Sequence, residues 1–311
     1  MQAHHNFFET ILFQIAFLFV LSHPSAATNA PMLTLEQSPF VIYHDVRDTS
    51  YARQAANILT RALEDIRFDF DIDIADNFHI YIMPTRKSFL ATLESGLPQW
   101  TGAFAVPDQQ LMVVKSPRWN NQDKYNHSLV HELVHLTIHR VVGLHTIPRW
   151  LDEGLAIFYA EETRWHQATA ISKALATRSI IPLSEIDDVL NFHPQKADLA
   201  YQQSYSAVRY LLATYDIEAL HRILYGLKEG KSINECFIFA TGSTFENFEK
   251  EWQGMIAKTH RWVWLYELDT YIWALIIGLL ILAFLVRQWR NRRIKREWQQ
   301  EMDDIADMDE N

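Results

Sequence analysis

Five residues, His131-Glu132-Leu133-Val134-His135, constrain this chain more than any other stretch of it. Two histidines four apart can reach one metal ion only if the backbone between them is helical, because positions i and i+4 then share a face about 6 Å apart along the axis. The apolar residues Leu129, Val130, Leu133 and Val134 mark the core side of such a helix. Glu132, beside the first histidine, can reach a water at the metal without binding the ion. The pattern fixes only three positions and can arise by accident, so by itself it is a modest signal.

A second segment strengthens it, Pro148-Arg149-Trp150-Leu151-Asp152-Glu153-Gly154-Leu155-Ala156. Seventeen residues separate His135 from Glu153, room for a turn from Gly143 to Pro148 and for a second helix, beginning near Arg149, that returns a carboxylate to the metal. Two neutral imidazoles and one carboxylate leave a net positive ion with a fourth position open, the donor set of a catalytic zinc. His127 and His139 extend the one-in-four histidine series. An all-histidine site is excluded, because His131 to His139 spans about 12 Å of helix and zinc–nitrogen bonds are about 2.0–2.1 Å. His139 therefore reads as a hydrogen-bonded polar residue on that face. Glu161 and Glu162 follow Glu153 by two helical turns; a solvated helix face is the plain reading, a partner for a ligand histidine the other.

Composition narrows the chemistry. The 311 residues carry a formal net charge of −10 with no basic stripe in mid-chain, which argues against nucleic acid as a partner. The single cysteine, Cys236, excludes an intrachain disulfide and a zinc site built on several thiolates. A bound zinc must sit among histidines and carboxylates.

Two apolar segments suggest a topology. The run Ile11–Leu21, followed by small residues at Ser25-Ala26-Ala27, predicts a signal peptide over residues 1–27, with an uncleaved anchor as the alternative. No Lys or Arg precedes it, which fits a signal peptide badly. Thr270–Val286 is free of charge and spans roughly 25 Å as a helix, the short end of what crosses a bilayer. Trp262, Trp264, Tyr266, Tyr271 and Trp273 lie before or at its start, and Arg287, Arg290, Arg292, Arg293, Lys295 and Arg296 follow it. These flanks predict a single transmembrane helix over residues 270–286, a cytoplasmic tail over residues 287–311, and everything before the helix outside the cytoplasm, with the lipid bilayer as a partner.

Between these segments the chain reads as α+β. Phe40–His44 and Phe78–Met83 are predicted strands, with helices from about Thr49 to Ile66 and from about Arg86 to Glu94. Gly102–Val106 and Gln110–Lys115 are short extended runs around a Pro107-Asp108 turn, and the reading is helical from about Lys124. Residues 31–39, with Pro31 and Pro39, read as an irregular lead-in.

His-Glu-x-x-His followed by Trp-Leu-Asp-Glu-Gly-Leu-Ala resembles the gluzincins, most closely the peptidase MA-like domain. It is also similar to the zinc aminopeptidases, whose corresponding segment reads Trp-Leu-Asn-Glu-Gly-Phe-Ala. The resemblance covers about residues 40 to 215. It implies a zincin-like fold over residues 31–260: a mixed N-terminal sheet with the active-site helix, then a helical C-terminal lobe. It also implies Zn2+ held by His131, His135 and Glu153, Glu132 as general base toward a zinc-activated water, and a peptide or protein substrate outside the cytoplasm. A metzincin would need a histidine at position 141, where Val141 stands. The resemblance extends to Ala200–Tyr210, and gluzincins often place an oxyanion-stabilising Tyr or His on a later helix, so Tyr201 is the first candidate and Tyr205 the second. Gly102–Val106 is similar to the Gly-x-Met-Glu-Asn segment of zinc aminopeptidases, whose Glu grips the substrate's amino terminus. Ala105 stands at that position and cannot bind an ammonium group, so an endopeptidase is expected over an aminopeptidase. Two alternatives stay open: a zinc-binding envelope scaffold without turnover, and a zinc hydrolase of a non-peptide cell-wall amide.

Overall fold

The computed structural model describes residues 32–70, 72, 77–93, 102–162, 169–260 and 269–309. The segment expected as a signal peptide, residues 1–27, lies outside these residues, as do Trp262, Trp264 and Tyr266.

The described chain opens with strand β1, Leu33–Gln37, where the sequence suggested an irregular lead-in. The strand is hard to read because it is a polar edge, with only Leu33 and Leu35 apolar and Leu33 exposed. It pairs antiparallel with β2, Phe40–His44, setting Leu35 opposite Ile42. Helix α1, Thr49–Phe70, buries Ala52, Ala55, Ala56, Leu59, Leu63, Ile66 and Phe70, a three-to-four spacing that lays one face on the sheet. Strand β3, Phe78–Met83, is followed by the short helix α2, Arg86–Leu90, whose first turn is closed by a Thr85–Ser88 capping box. Strands β4, Ala103–Val106, and β5, Leu111–Lys115, are joined by a tight turn over Pro107–Gln109.

The five strands lie in the order β1-β2-β3-β5-β4. β2, β3 and β5 run parallel, and the outer strands β1 and β4 are antiparallel to their neighbours. The sheet therefore has a parallel middle, with β4 at one edge.

Helices follow. α3, Gln122–Val142, starts at Asn121, whose side chain accepts from the Asp123 and Lys124 amides, and stops at Gly143, where φ is +71°. After it come α4, Arg149–Tyr159, α5, Thr169–Thr177, and a 3-10 stretch over Leu183–Asn191. The long α6, Pro194–Lys228, breaks at Asp216 (φ 61°, ψ 176°). Helices α7, Ile233–Thr241, and α8, Phe245–His260, complete this part.

The main core lies between the sheet and these helices. Phe40, Ile42, Phe78, Ile80 and Met112 pack there with Leu59 of α1, Leu129 and Leu133 of α3 and Leu155 of α4. A smaller cluster on the other face joins Tyr81, Met83, Phe104 and Val113 to Phe89 of α2.

The last helix, α9, Asp269–Asp309, corrects the expectation of a transmembrane segment. No helix among the described residues is long and apolar enough to cross a membrane. The helix is 41 residues long, but its uncharged stretch is only the seventeen residues Thr270–Val286. Seventeen residues rise about 25 Å, short of a hydrocarbon layer about 30 Å thick. Without pause the helix continues into Arg287, Arg290, Arg292 and Arg293. Tyr271, Trp273 and the basic residues that follow invite a reading as membrane borders, yet here they belong to one continuous helix whose apolar part is too short. The single-pass topology, with its outside and cytoplasmic sides, is overturned on the same ground.

Candidate active site

Helices α3 and α4 build the site between them. α3 presents His131 and His135 one turn apart, their rings 4.8 Å between centroids and 74° between planes. α4 is held in place by its buried side. Trp150 is fully buried and stacks on Phe245 of α8 at 5.9 Å between centroids, and the Arg149 amide donates to Asp187 Oδ1 at 2.8 Å. Removing that indole by Trp150→Ala would cost about 3–5 kcal/mol, the range for large aromatics in a packed core. The other neighbour of α4 is α6, and Gly154 makes the approach possible. A Cβ there would lie 2.5 Å from the Ser204 carbonyl oxygen and 2.6 Å from Val208 Cγ2. A glycine directly after Glu153 thus lets α4 seat against the α6 backbone.

This packing delivers Glu153 to the two histidines. Its Oε2 is 3.5 Å from His131 Nε2 and 3.8 Å from His135 Nε2. One ligand atom from each of the three residues lies within 4.8 Å of the others. Nitrogen and oxygen donors around a tetrahedral zinc are separated by about 3.3 Å, given bonds of 2.0–2.1 Å. The donor set and its spacing fit a metal ion of that kind.

The outward ring nitrogens carry the same message. His135 Nδ1 donates to Asp152 Oδ1 at 2.8 Å, and His131 Nδ1 donates to Glu162 Oε1 at 2.8 Å. A carboxylate only accepts, so each Nδ1 carries a proton, and Nε2, on the Glu153 side, is the atom each ring would offer to a metal. Asp152 is shared, since its Oδ2 is 3.4 Å from His139 Nε2 and 3.6 Å from Arg149 Nη1.

Charges follow from this crowding. Burial alone would lower the His131 pKa, but hydrogen bonds to Glu153 and Glu162 outweigh it and raise it well above the ordinary value. His135 is raised in the same way by Asp152, against burial. The carboxyls of Asp152 and Glu153 are held below their ordinary values: burial pushes each up, and the neighbouring histidines more than offset it. Glu132 is buried beside them and shifts the other way. Burial raises its pKa, against the pull of His131 and His135.

Of the residues picked out in the sequence, His131, His135 and Glu153 thus converge, with Glu132 adjoining. Tyr201 and Tyr205 lie farther along, packed on Ile157 and Phe158 in the turn of α4 after Glu153; Tyr205 is buried and Tyr201 half-buried. Asp152 was missed as a partner of His135, although its place next to Glu153 was a usable signal. Glu162 does not sit on a solvated helix face. α4 ends at Tyr159, Glu161 takes a left-handed φ of 51°, and the chain turns Glu162 back onto His131.

The sequence profile of the peptidase MA superfamily matches residues 59–258, more than half of the chain and all of α3, α4 and α6. No curated protein matches the chain.

Proposed function

The chain belongs to the peptidase MA superfamily, and on that premise we propose that it is a zinc metallopeptidase that hydrolyses peptide bonds, with His131, His135 and Glu153 as zinc ligands and Glu132 as general base. One observation carries the reading. Two Nε2 atoms and one carboxylate oxygen converge while both histidines are held from behind by carboxylates, and a buried glutamate with a raised pKa adjoins them.

A zinc ion in this donor set would supply Lewis-acid polarisation of a carbonyl and a water acidic enough to act as nucleophile near neutral pH. The chain's own residues supply the rest. Glu132 takes the proton from the attacking water and passes it to the departing amine, a task its raised pKa suits because a base poised nearer neutrality both accepts and returns a proton. Tyr201, less buried than Tyr205, donates its hydroxyl to the developing oxyanion.

Substrate binding falls to the sheet edge. β4 is the last strand in the sheet order and packs on α3, with Gly102 so placed that a Cβ would lie 3.5 Å from Ser128 Oγ, one turn before His131. An extended peptide adds to such an edge through its main chain and needs no free end. Ala105 offers no group for an amino terminus, so the enzyme is an endopeptidase acting on peptides or proteins.

The deciding experiment compares Glu132→Gln with the wild type. The variant is expected to keep one zinc per chain and lose peptide hydrolysis by several orders of magnitude, whereas His135→Ala and Glu153→Ala lose the metal. Wild-type turnover by Glu132→Gln would remove it as the base.

A further inference from the structure

His127 stands one turn before His131 on α3, and the metal site as read above does not use it. Its Nδ1 lies 2.5 Å from the carbonyl oxygen of Ala160. A carbonyl only accepts, so Nδ1 carries the proton and donates. Ala160 is the residue that ends α4, and its carbonyl has no place in the helical ladder. Two residues later stands Glu162, whose carboxylate accepts from His131 Nδ1. Between them Glu161 adopts a left-handed φ of 51°, costly for a residue with a side chain. Successive histidines on α3 therefore grip the same three-residue turn, His127 by its main chain and His131 by its side chain. The far side of the α4 terminus is tied by Tyr159, whose hydroxyl donates to Asp69 Oδ2 at 2.6 Å.

We propose that His127 is a positioning residue of the metal centre: by holding the Ala160 carbonyl it fixes the left-handed turn that keeps Glu162 against His131. The inference rests on reading His131, His135 and Glu153 as a zinc site. Without the His127 bond the turn keeps, among the described residues, only two long main-chain bonds, Glu161 N–H to the Phe158 carbonyl at 3.3 Å and Glu162 N–H to the Ile157 carbonyl at 3.4 Å, to oppose the cost of the Glu161 conformation. Glu162 then leaves His131, whose ring is free to rotate away from the orientation the metal needs. Partners of this kind typically change metal affinity by 10–100-fold.

Zinc affinity of the full chain, measured by competition with a chromophoric chelator, tests this without recourse to activity. Glu162→Ala is expected to weaken zinc by about 10–100-fold, and His127→Ala by roughly tenfold. His127→Asn, whose side-chain amide nitrogen stands where Nδ1 stood, restores most of the loss. In the Glu162→Ala background His127→Ala costs little more, because both act through one turn. The proposal fails if His127→Ala binds zinc as tightly as the wild type, or if its loss adds in full to that of Glu162→Ala. Melting curves of the zinc-free variants confirm that folded proteins are compared. Should His127→Ala not fold, His127→Gln, which keeps bulk but moves the donor outward, replaces it with the same two outcomes. A wild-type chain that binds no zinc would instead overturn the reading of the site.

Discussion

Asp152 Oδ1 accepts from His135 Nδ1 at 2.8 Å while Glu153, the next residue, turns its Oε2 toward the Nε2 of the same ring. One imidazole is thus held at both nitrogens by adjacent residues of α4, which is possible because successive helical side chains diverge and can pass on either side of a ring.

The relationship predicts that Asp152→Ala weakens zinc binding by about 10–100-fold, since the ring loses the acceptor that sets its tautomer and angle. Asp152→Asn, which keeps an acceptor oxygen but no charge, should lose less. Chelator competition measures both, and an Asp152→Ala protein with wild-type affinity would deny the carboxylate any such part.

Proton competition sets the pH dependence. The raised pKa values of His131 and His135 in the zinc-free protein contribute stability that is complete below about 6.5, the ordinary histidine value. That contribution is lost as pH rises through the raised values. Zinc binding moves the opposite way, because each histidine must first lose a proton. The increase in melting temperature on adding zinc should therefore be larger at about pH 8 than at about pH 6. An increase that is flat or falls with pH would contradict this assignment of charges.

Gly154→Ala should destabilise the fold by about 1–3 kcal/mol despite the better helix propensity of alanine. The new methyl would sit 2.5 Å from the Ser204 carbonyl oxygen, so α4 and α6 must part. Denaturant unfolding gives the magnitude. A neutral or stabilising effect would mean that the α4–α6 contact yields more easily than its geometry implies.

If the sheet edge receives substrate, acetylating a peptide's amino terminus should leave cleavage nearly unchanged and the products should be internal fragments. Mass spectrometry of the digest distinguishes the cases. Cleavage abolished by acetylation, with single amino acids as the native products, would make the enzyme an aminopeptidase and reverse the reading of Ala105.

Asp216→Gly should stabilise the chain by about 1 kcal/mol, because only glycine adopts φ 61° with ψ 176° at little cost. Thermal melting measures this, and a loss of stability would show that the Asp216 side chain repays the strain.

Sequence by itself determined whatever depends on neighbours within one element. The four-residue spacing of His131 and His135 needs only a helix, and Gly143 marks the turn that ends it. Trp150-Leu151-Asp152-Glu153-Gly154 marks a buried helix carrying a carboxylate. Strands Phe40–His44 and Phe78–Met83 are legible because both are rich in β-branched and aromatic residues and end at turn-forming residues. What the tertiary structure alone decided lies between elements or where an element stops. Helical periodicity carried past Tyr159 points Glu162 toward water, but α4 ends there, and a left-handed residue at Glu161 reverses the chain onto His131. β1 holds its place through hydrogen bonds to β2 and not through its own apolar content. For α9 the flanking aromatic and basic residues looked decisive in the sequence, yet the length of unbroken apolar helix decides whether a bilayer can be crossed. The physical reason is common to all three. Periodicity reports which residues share a face, whereas the partner that face meets depends on where the backbone turns and how far apart packing sets the next element.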